Sequence, residues 1–272
     1  MPYLNTAGGG RIHYKTVGKG PPLVFIHGWA MSGEVWRFQE ELADTYRLIF
    51  PDLRGHGSSS APATGYCFQD FADDLLELFI ALRLENAILI GWSMGAQVAL
   101  QAFPFLRSRL AAVVLVSGTP RFTATEGYPH GLPESAVKRL AMLLQRDYSG
   151  TVDDFFKRMF VDGELGERLP GHTFSGDNKI IQPAWHAVRQ ALESLATTDL
   201  RAELALVDVP VLLIHGGGDS ICLPSASQYM AEHLRDARLE IMAGAGHAPF
   251  ISRPGEFAEI LTGFLGGIYA HD

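Results

Sequence analysis

The chain has 272 residues, 47% of them hydrophobic, and its formal net charge is −8. This length and apolar content predict one folded domain, with or without an insertion, and exclude a largely disordered chain. The acidic charge argues against a general nucleic-acid binder, which typically carries a basic stripe. No apolar run reaches the roughly 20 residues that span a bilayer, and the first residues lack a signal-peptide pattern. We therefore expect a cytoplasmic protein without a membrane or nucleic-acid partner and, by default, a monomer.

The chain offers little material for a metal site or a disulfide framework. Its two cysteines, Cys67 and Cys222, lie far apart in the sequence and form no CxxC pair. There is no HExxH motif and no Cys/His cluster with ligand spacing,. We therefore predict neither a metal nor another cofactor, and we interpret the histidines at positions 27, 56, 186 and 215 as structural.

Six short apolar runs end in small or polar residues, which is typical of buried parallel strands. They cover residues 23–27, 48–50, 87–90, 112–116, 211–215 and 239–242. Helical periodicity is clear between them, at residues 70–82 and 96–103,. The alternation predicts an α/β fold with a doubly wound, mostly parallel sheet. The functional site of such a sheet lies in the turns at the carboxyl ends of the strands.

The strand–helix alternation stops near residue 120 and resumes near residue 198. The intervening segment contains several prolines and short amphipathic stretches. We interpret it as a helical cap, residues 120–198, inserted into a core made of residues 1–119 and 199–272. Such a cap would cover the strand ends where the site is expected.

A GxSxG motif, Gly91-Trp-Ser-Met-Gly95, lies between a predicted strand and a predicted helix. In that context the motif forms a sharp turn that exposes the serine hydroxyl at the top of the sheet. Ser93 is therefore the candidate nucleophile. The alternative is a glycine-lined turn in which the serine has no chemical role.

A serine nucleophile needs a base to take its proton and an acid to orient that base. His247 follows the last strand in a glycine-rich loop, and Asp219 follows the strand before it. The chain order Ser93, Asp219, His247 is the one expected for a nucleophile of this kind. Asp208 precedes its strand and therefore lies at the wrong edge of the sheet.

The attack of a serine on an ester creates an oxyanion that two backbone N–H groups usually stabilise. One donor is expected from Met94, the residue after the nucleophile. The other is expected from the loop after the first parallel strand, where we favour Trp29. Trp29 has a second interpretation as an aromatic side chain that only faces the cap.

Together, the serine motif, His27-Gly28, Asp52-Leu-Arg-Gly-His-Gly-Ser-Ser59 and the final Gly-His resemble the α/β-hydrolase superfamily. The segments 28–36, 91–95, 198–201 and 247–257 are similar, more narrowly, to the pimeloyl-[acyl-carrier protein] methyl ester esterases of biotin synthesis. This resemblance implies a serine carboxylesterase that forms an acyl-enzyme on a Ser-His-Asp triad. Its substrate would be a methyl ester, either a free small molecule or an acyl group on an acyl carrier protein.

The resemblance also implies which residues touch the substrate. Besides Ser93 and His247, the following positions match: Trp29, Met94, Phe155, Phe156, Lys157, Arg158 and Met159. In the cap, a basic face for a carrier protein would come from Lys138, Arg139, Arg146, Lys157, Arg158 and Arg168. A solvated charged surface explains those six residues equally well, and core packing is an alternative for the apolar cap residues.

Four other functions fit the same sequence, one of them only as a side activity. A carbon–carbon hydrolase of ring-cleavage products would use the same triad on a different bond. A general short-chain carboxylesterase would lack the specificity for the pimeloyl group. Cofactor-free peroxidase chemistry would be a side activity. A ligand receptor could keep the fold and the triad without catalysis, because fold alone does not assign function.

Overall fold

The computed structural model describes residues 2–165 and 183–270. Its centre is an eight-stranded sheet in the order β1-β2-β4-β3-β5-β6-β7-β8. The pairs β1/β2 and β2/β4 are antiparallel, and all strands from β3 to β8 pair in parallel. The strands are β1 (Tyr3–Asn5), β2 (Arg11–Val17), β3 (Pro22–Ile26), β4 (Arg47–Pro51), β5 (Ala87–Trp92), β6 (Leu110–Val116), β7 (Val211–Gly216) and β8 (Ala237–Met242).

The described part of the chain also contains eight α-helices. They are α1 (Phe68–Ala81), α2 (Met94–Leu106), α3 (Glu134–Arg146), α4 (Tyr148–Lys157), α5 (Trp185–Thr197), α6 (Pro224–His233), α7 (Pro249–Ser252) and α8 (Pro254–Tyr269). A 3-10 helix of 12 residues, Gly33–Asp44, lies between β3 and β4. In α1, Phe68, Phe71, Ala72, Leu75 and Phe79 are buried. Their spacing of three and four residues places them on one face of the helix, which explains why this segment is helical.

The six strands predicted from the apolar runs are all present, and the mostly parallel sheet is confirmed. The side chains of β5 and β7 are buried throughout, which accounts for their uninterrupted apolar sequences,. The antiparallel strands β1 and β2 were not predicted. In β2 the sequence Arg-Ile-His-Tyr-Lys-Thr-Val mixes polar and apolar residues because the strand lies towards one edge of the sheet.

Helices α3, α4 and α5 all lie in the insertion between β6 and β7. The chain enters and leaves this insertion at neighbouring points. Arg121 and Asp199 form an isolated antiparallel bridge, and the Arg121 guanidinium donates to the Asp199 carboxylate at 2.8 Å. The Leu200 N–H also donates to the Pro120 carbonyl. These contacts join the two ends of the segment between β6 and β7.

The predicted basic residue Arg168 lies outside the described residues. Within the described ranges, no helix is both long enough and apolar enough to cross a bilayer.

Candidate active site

Ser93 lies in the turn between β5 and α2, with φ 54° and ψ −117°. A positive φ is unfavourable for a residue with a side chain and is typical of functional turns. The flanking positions 91 and 95 have to be glycine because neighbouring backbone atoms leave no room for a Cβ. A Cβ at Gly91 would lie 2.3 Å from the Gly95 carbonyl oxygen, and one at Gly95 would lie 2.4 Å from that of Ile26. The motif therefore forms the sharp turn predicted from the sequence.

His247 and Asp219 meet after β8 and β7. The Nδ1 atom of His247 lies 2.7 Å from Asp219 Oδ2, and both side chains are almost completely buried. Because ionised Asp219 can only accept, Nδ1 carries the proton and Nε2 is left to act as the acceptor. Among the described residues, Nε2 has no hydrogen-bond partner. The imidazole is therefore oriented to receive a proton at Nε2.

Several contacts hold the serine, acid and base segments together. Trp92, next to Ser93, donates its indole N–H to the His247 carbonyl at 2.8 Å. The Gly218 N–H donates to the Ala245 carbonyl at 2.8 Å, which joins the acid turn to the loop that bears His247. Ser93 itself is buried, and so is Cys222, which follows Asp219 in the chain. Burial, together with the nearby Asp219 charge, raises the pKa of that thiol, so Cys222 stays protonated.

The loop after β3 lies beside the serine turn. A Cβ at Gly28 would lie 3.3 Å from Ser93 Cβ. The backbone N–H groups of Trp29 and Met94 donate to no other described residue. Two unpaired N–H donors beside a buried hydroxyl can stabilise a developing oxyanion. His27 braces this loop, since its Nε2 accepts from the Leu53 N–H and its Nδ1–H donates to the Gly28 carbonyl.

Comparison with known proteins identifies the family. A model described as the alpha/beta hydrolase family matches residues 23–260. The chain belongs to the α/β-hydrolase family. A pimeloyl-[acyl-carrier protein] methyl ester esterase from Nitrosomonas europaea is 38% identical over 248 residues, which cover 90% of this chain and 96% of that protein.

Other members of the α/β-hydrolase family carry different names. A putative non-heme chloroperoxidase from Synechocystis is 33% identical, and the match covers 93% of this chain and 94% of that protein. An esterase from Exiguobacterium antarcticum superposes with a TM-score of 0.90 at 29% identity, covering 96% of this chain and 98% of that one.

The predicted substrate-contacting residues of this α/β hydrolase separate into two groups. Phe155 packs edge-on against the Trp29 ring at 4.8 Å between centroids, and the Trp29 indole N–H donates to the Val188 carbonyl on α5. Phe156 and Met159 are also buried. Lys157 and Arg158, in contrast, have exposed side chains. The structure therefore brings Phe155 to the loop of Trp29, whereas the two basic side chains are exposed.

Two residues near the site were missed in the sequence because they belong to no motif. His215, interpreted as structural, is completely buried and its Nε2 lies 3.1 Å from Asp219 Oδ2 and 2.8 Å from the Cys222 carbonyl. Its position directly before the glycines that lead to Asp219 was the only available signal. The second, Glu164, contacts the loop that bears His247. Among the described residues, no group of three or more His, Cys, Asp or Glu could hold a metal ion.

The electrostatics of Asp219 predict a pH-dependent stability. Burial alone would raise its pKa, but His247 and His215 lower the pKa from 3.8 to about 2. The folded state therefore binds this proton more weakly than the unfolded state does. The ionised carboxylate stabilises the fold above about pH 4, and this contribution is lost as the pH falls towards 2.

We expect the free energy of unfolding of the wild type to fall by about 2 kcal/mol more than that of Asp219→Asn between pH 4 and 2. Urea unfolding at several pH values measures this difference. Parallel pH dependences of the two proteins would contradict it.

Proposed function

We propose that this α/β hydrolase is a serine carboxylesterase that hydrolyses the methyl ester of an acyl group. The specific substrate that we propose is the pimeloyl-[acyl-carrier protein] methyl ester of biotin synthesis. The name of the relative from Nitrosomonas europaea supports this substrate. The observation that carries the proposal is the buried His247–Asp219 pair, whose Nε2 is free to accept a proton and whose loop is bonded to Trp92, the residue before Ser93.

The proposed reaction has two halves. His247 Nε2 takes the proton of the Ser93 hydroxyl as the serine oxygen attacks the ester carbonyl carbon. The resulting oxyanion accepts hydrogen bonds from the N–H groups of Trp29 and Met94. When the C–O bond to the methoxy group breaks, the imidazolium returns its proton to that oxygen and methanol leaves.

Water then attacks the acyl-enzyme, with His247 again acting as the base. Collapse of the second intermediate breaks the bond to Ser93, which recovers its proton, and the carboxylic acid is released. Asp219 stays ionised throughout and stabilises the imidazolium that forms in each half. The low pKa of its carboxyl fits that role.

We also propose that residues 120–198 form a cap that lines the acyl part of the site. Two contacts support this proposal, the Trp29–Phe155 ring pair and the bond from Trp29 to α5. The basic cap residues that could meet a carrier protein are interspersed with acids, since Lys138 pairs with Glu134 and Lys157 with Asp154. The cytoplasmic location and the monomeric state stay predictions.

A panel of methyl esters tests the proposed function. Dicarboxylate monomethyl esters of four to nine carbons would be assayed free and attached to acyl carrier protein, with methanol release as the readout. We expect the highest kcat/KM for the seven-carbon ester. Equal rates with and without the carrier would remove the carrier from the proposal.

Turnover of dienoate ring-cleavage products in place of esters would favour the carbon–carbon hydrolase. A growth test measures whether the protein can supply the esterase step of biotin synthesis in a living host. The gene is expected to restore biotin-free growth to a host that lacks its own esterase, and failure to do so would contradict the specific substrate.

A further inference from the structure

The loop that bears His247, residues 243–248, is attached to the cap as well as to the sheet. The His247 backbone N–H donates to the Met159 carbonyl at 2.6 Å. The neighbouring N–H, that of Gly246, donates to both carboxylate oxygens of Glu164, at 3.0 and 2.9 Å. Two consecutive amides of this base loop therefore bind to cap residues 159–164, which we name the cap turn.

The Glu164 carboxylate joins three separate segments. Besides the Gly246 amide, it accepts from the Val161 N–H at 2.7 Å, which closes the cap turn itself. It also accepts from the Ser252 hydroxyl on α7. Hydrogen bonds to an ionised carboxylate are roughly twice as strong as those between neutral groups. Half-buried Glu164 is therefore a strong link between the cap and the chain on both sides of His247.

The base loop fits tightly against the cap turn. A Cβ at Gly246 would lie 2.4 Å from the Met159 carbonyl oxygen and 3.0 Å from Phe160 Cα. Only glycine allows the two backbones to come this close. The contact is therefore a direct backbone-to-backbone contact, through which a shift of the cap turn would move the base loop.

The orientation of His247 consequently depends on four contacts. Asp219 accepts from its ring Nδ1–H, and Trp92 donates to its backbone carbonyl. The cap turn accepts from the backbone N–H groups of His247 and Gly246. Because the base loop lies outside any strand or helix, these contacts have to set where Nε2 points. Two of the four come from the cap.

We propose that Glu164 is a positioning residue for the catalytic base, acting through the Gly246 amide on His247. This inference rests on the proposed function, because it assigns a task within the same site. It implies that the cap maintains the catalytic geometry in addition to contacting the acyl group. A displacement of about 1 Å at a catalytic group can lower a rate by up to about 10²-fold, so the link has a measurable consequence.

The test uses the full chain and two readouts that do not require the natural substrate. A fluorophosphonate probe measures the rate of covalent labelling at Ser93, and p-nitrophenyl acetate measures kcat and KM with a two-carbon acyl group. We expect Glu164→Ala to lower the labelling rate and kcat by about 10- to 100-fold, with KM changed less than about twofold. Glu164→Gln is expected to label about two- to fivefold more slowly than the wild type, because its amide oxygen still accepts from Gly246 but the bond loses its charge assistance.

The matched control is Glu134→Ala, which removes another cap carboxylate whose partner is Lys138. We expect this variant to label and turn over at wild-type rates. Wild-type labelling by folded Glu164→Ala, or a change confined to KM, would overturn the proposal. A wild-type protein that is not labelled at all would instead contradict the proposed function.

If Glu164→Ala does not fold, Glu164→Gln and Ser252→Ala decide the question. Ser252→Ala removes one of the donors that hold the Glu164 carboxylate against the Gly246 amide, so the carboxylate is held less firmly at that contact. We expect both variants to label about two- to fivefold more slowly than the wild type. Wild-type labelling rates in both variants would overturn the proposal.

Discussion

Replacement of Ser93 by alanine is expected to lower kcat/KM for methyl esters by at least about 10⁴-fold, because the acyl-enzyme can no longer form. The variant should also lose covalent labelling by a fluorophosphonate. Stopped or continuous ester assays measure the first effect. Mass spectrometry of the peptide that contains residue 93 measures the second.

Ser194→Ala is the control for this experiment. Ser194 lies on α5 and donates its hydroxyl hydrogen to the Tyr66 carbonyl, so we expect its removal to leave kcat/KM unchanged. Retention of more than about a tenth of the activity by Ser93→Ala would show that Ser93 is not the nucleophile. Fluorophosphonate labelling of the wild type at a residue other than Ser93 would also show that Ser93 is not the nucleophile.

Asp219→Asn is expected to lower kcat by about 10⁴-fold, as the loss of the orienting acid does in serine hydrolases of this type. The hydrogen bonds around Asp219 explain why. Its Oδ1 atom accepts from the N–H groups of Ile221 and Cys222, at 2.8 and 3.0 Å. An asparagine would keep its carbonyl oxygen at that position, and its NH₂ group would face His247.

An NH₂ group facing Nδ1 turns that nitrogen into an acceptor and transfers the ring proton to Nε2. The imidazole can then no longer accept the proton of Ser93. The matched control is Asp208→Asn, since Asp208 precedes β7 and pairs with Arg107 at the surface. We expect that variant to keep wild-type kcat. A loss of less than about tenfold in Asp219→Asn would mean that another acid orients the base.

The strands β3 to β8 and the position of the site were predictable from the sequence for one reason. Strands β3 to β7 are mostly buried, and β8 still has apolar residues at positions 239, 241 and 242, so each of the six contains a short apolar run, and all their carboxyl ends meet at one edge,. Ser93, Asp219 and His247 each follow such a run. Residues far apart in the chain could therefore be assigned to one place without coordinates.

The antiparallel strands β1 and β2 and the side chains that support the site were not predictable in this way. The short strand β1 and the mixed sequence of β2 have no buried run on both faces, so their pattern resembles that of a loop. Buried His215 belongs to no motif, and its position before the glycines that lead to Asp219 is the only feature that separates it from an ordinary core histidine. Its contact with Asp219 depends on how the turn after β7 folds back.

The sequence by itself determined the mostly parallel α/β sheet, the serine turn and the order of the three candidate catalytic residues, because each depends on a local pattern of burial and on glycine. Only the tertiary structure decided which contacts orient those residues. The bond between Trp29 and Val188 joins residues 159 positions apart, and the one between Gly246 and Glu164 joins residues 82 apart. Such contacts involve single backbone or side-chain groups, which impose no periodicity on the sequence, so they appear only when the segment between β6 and β7 is packed on the rest of the chain.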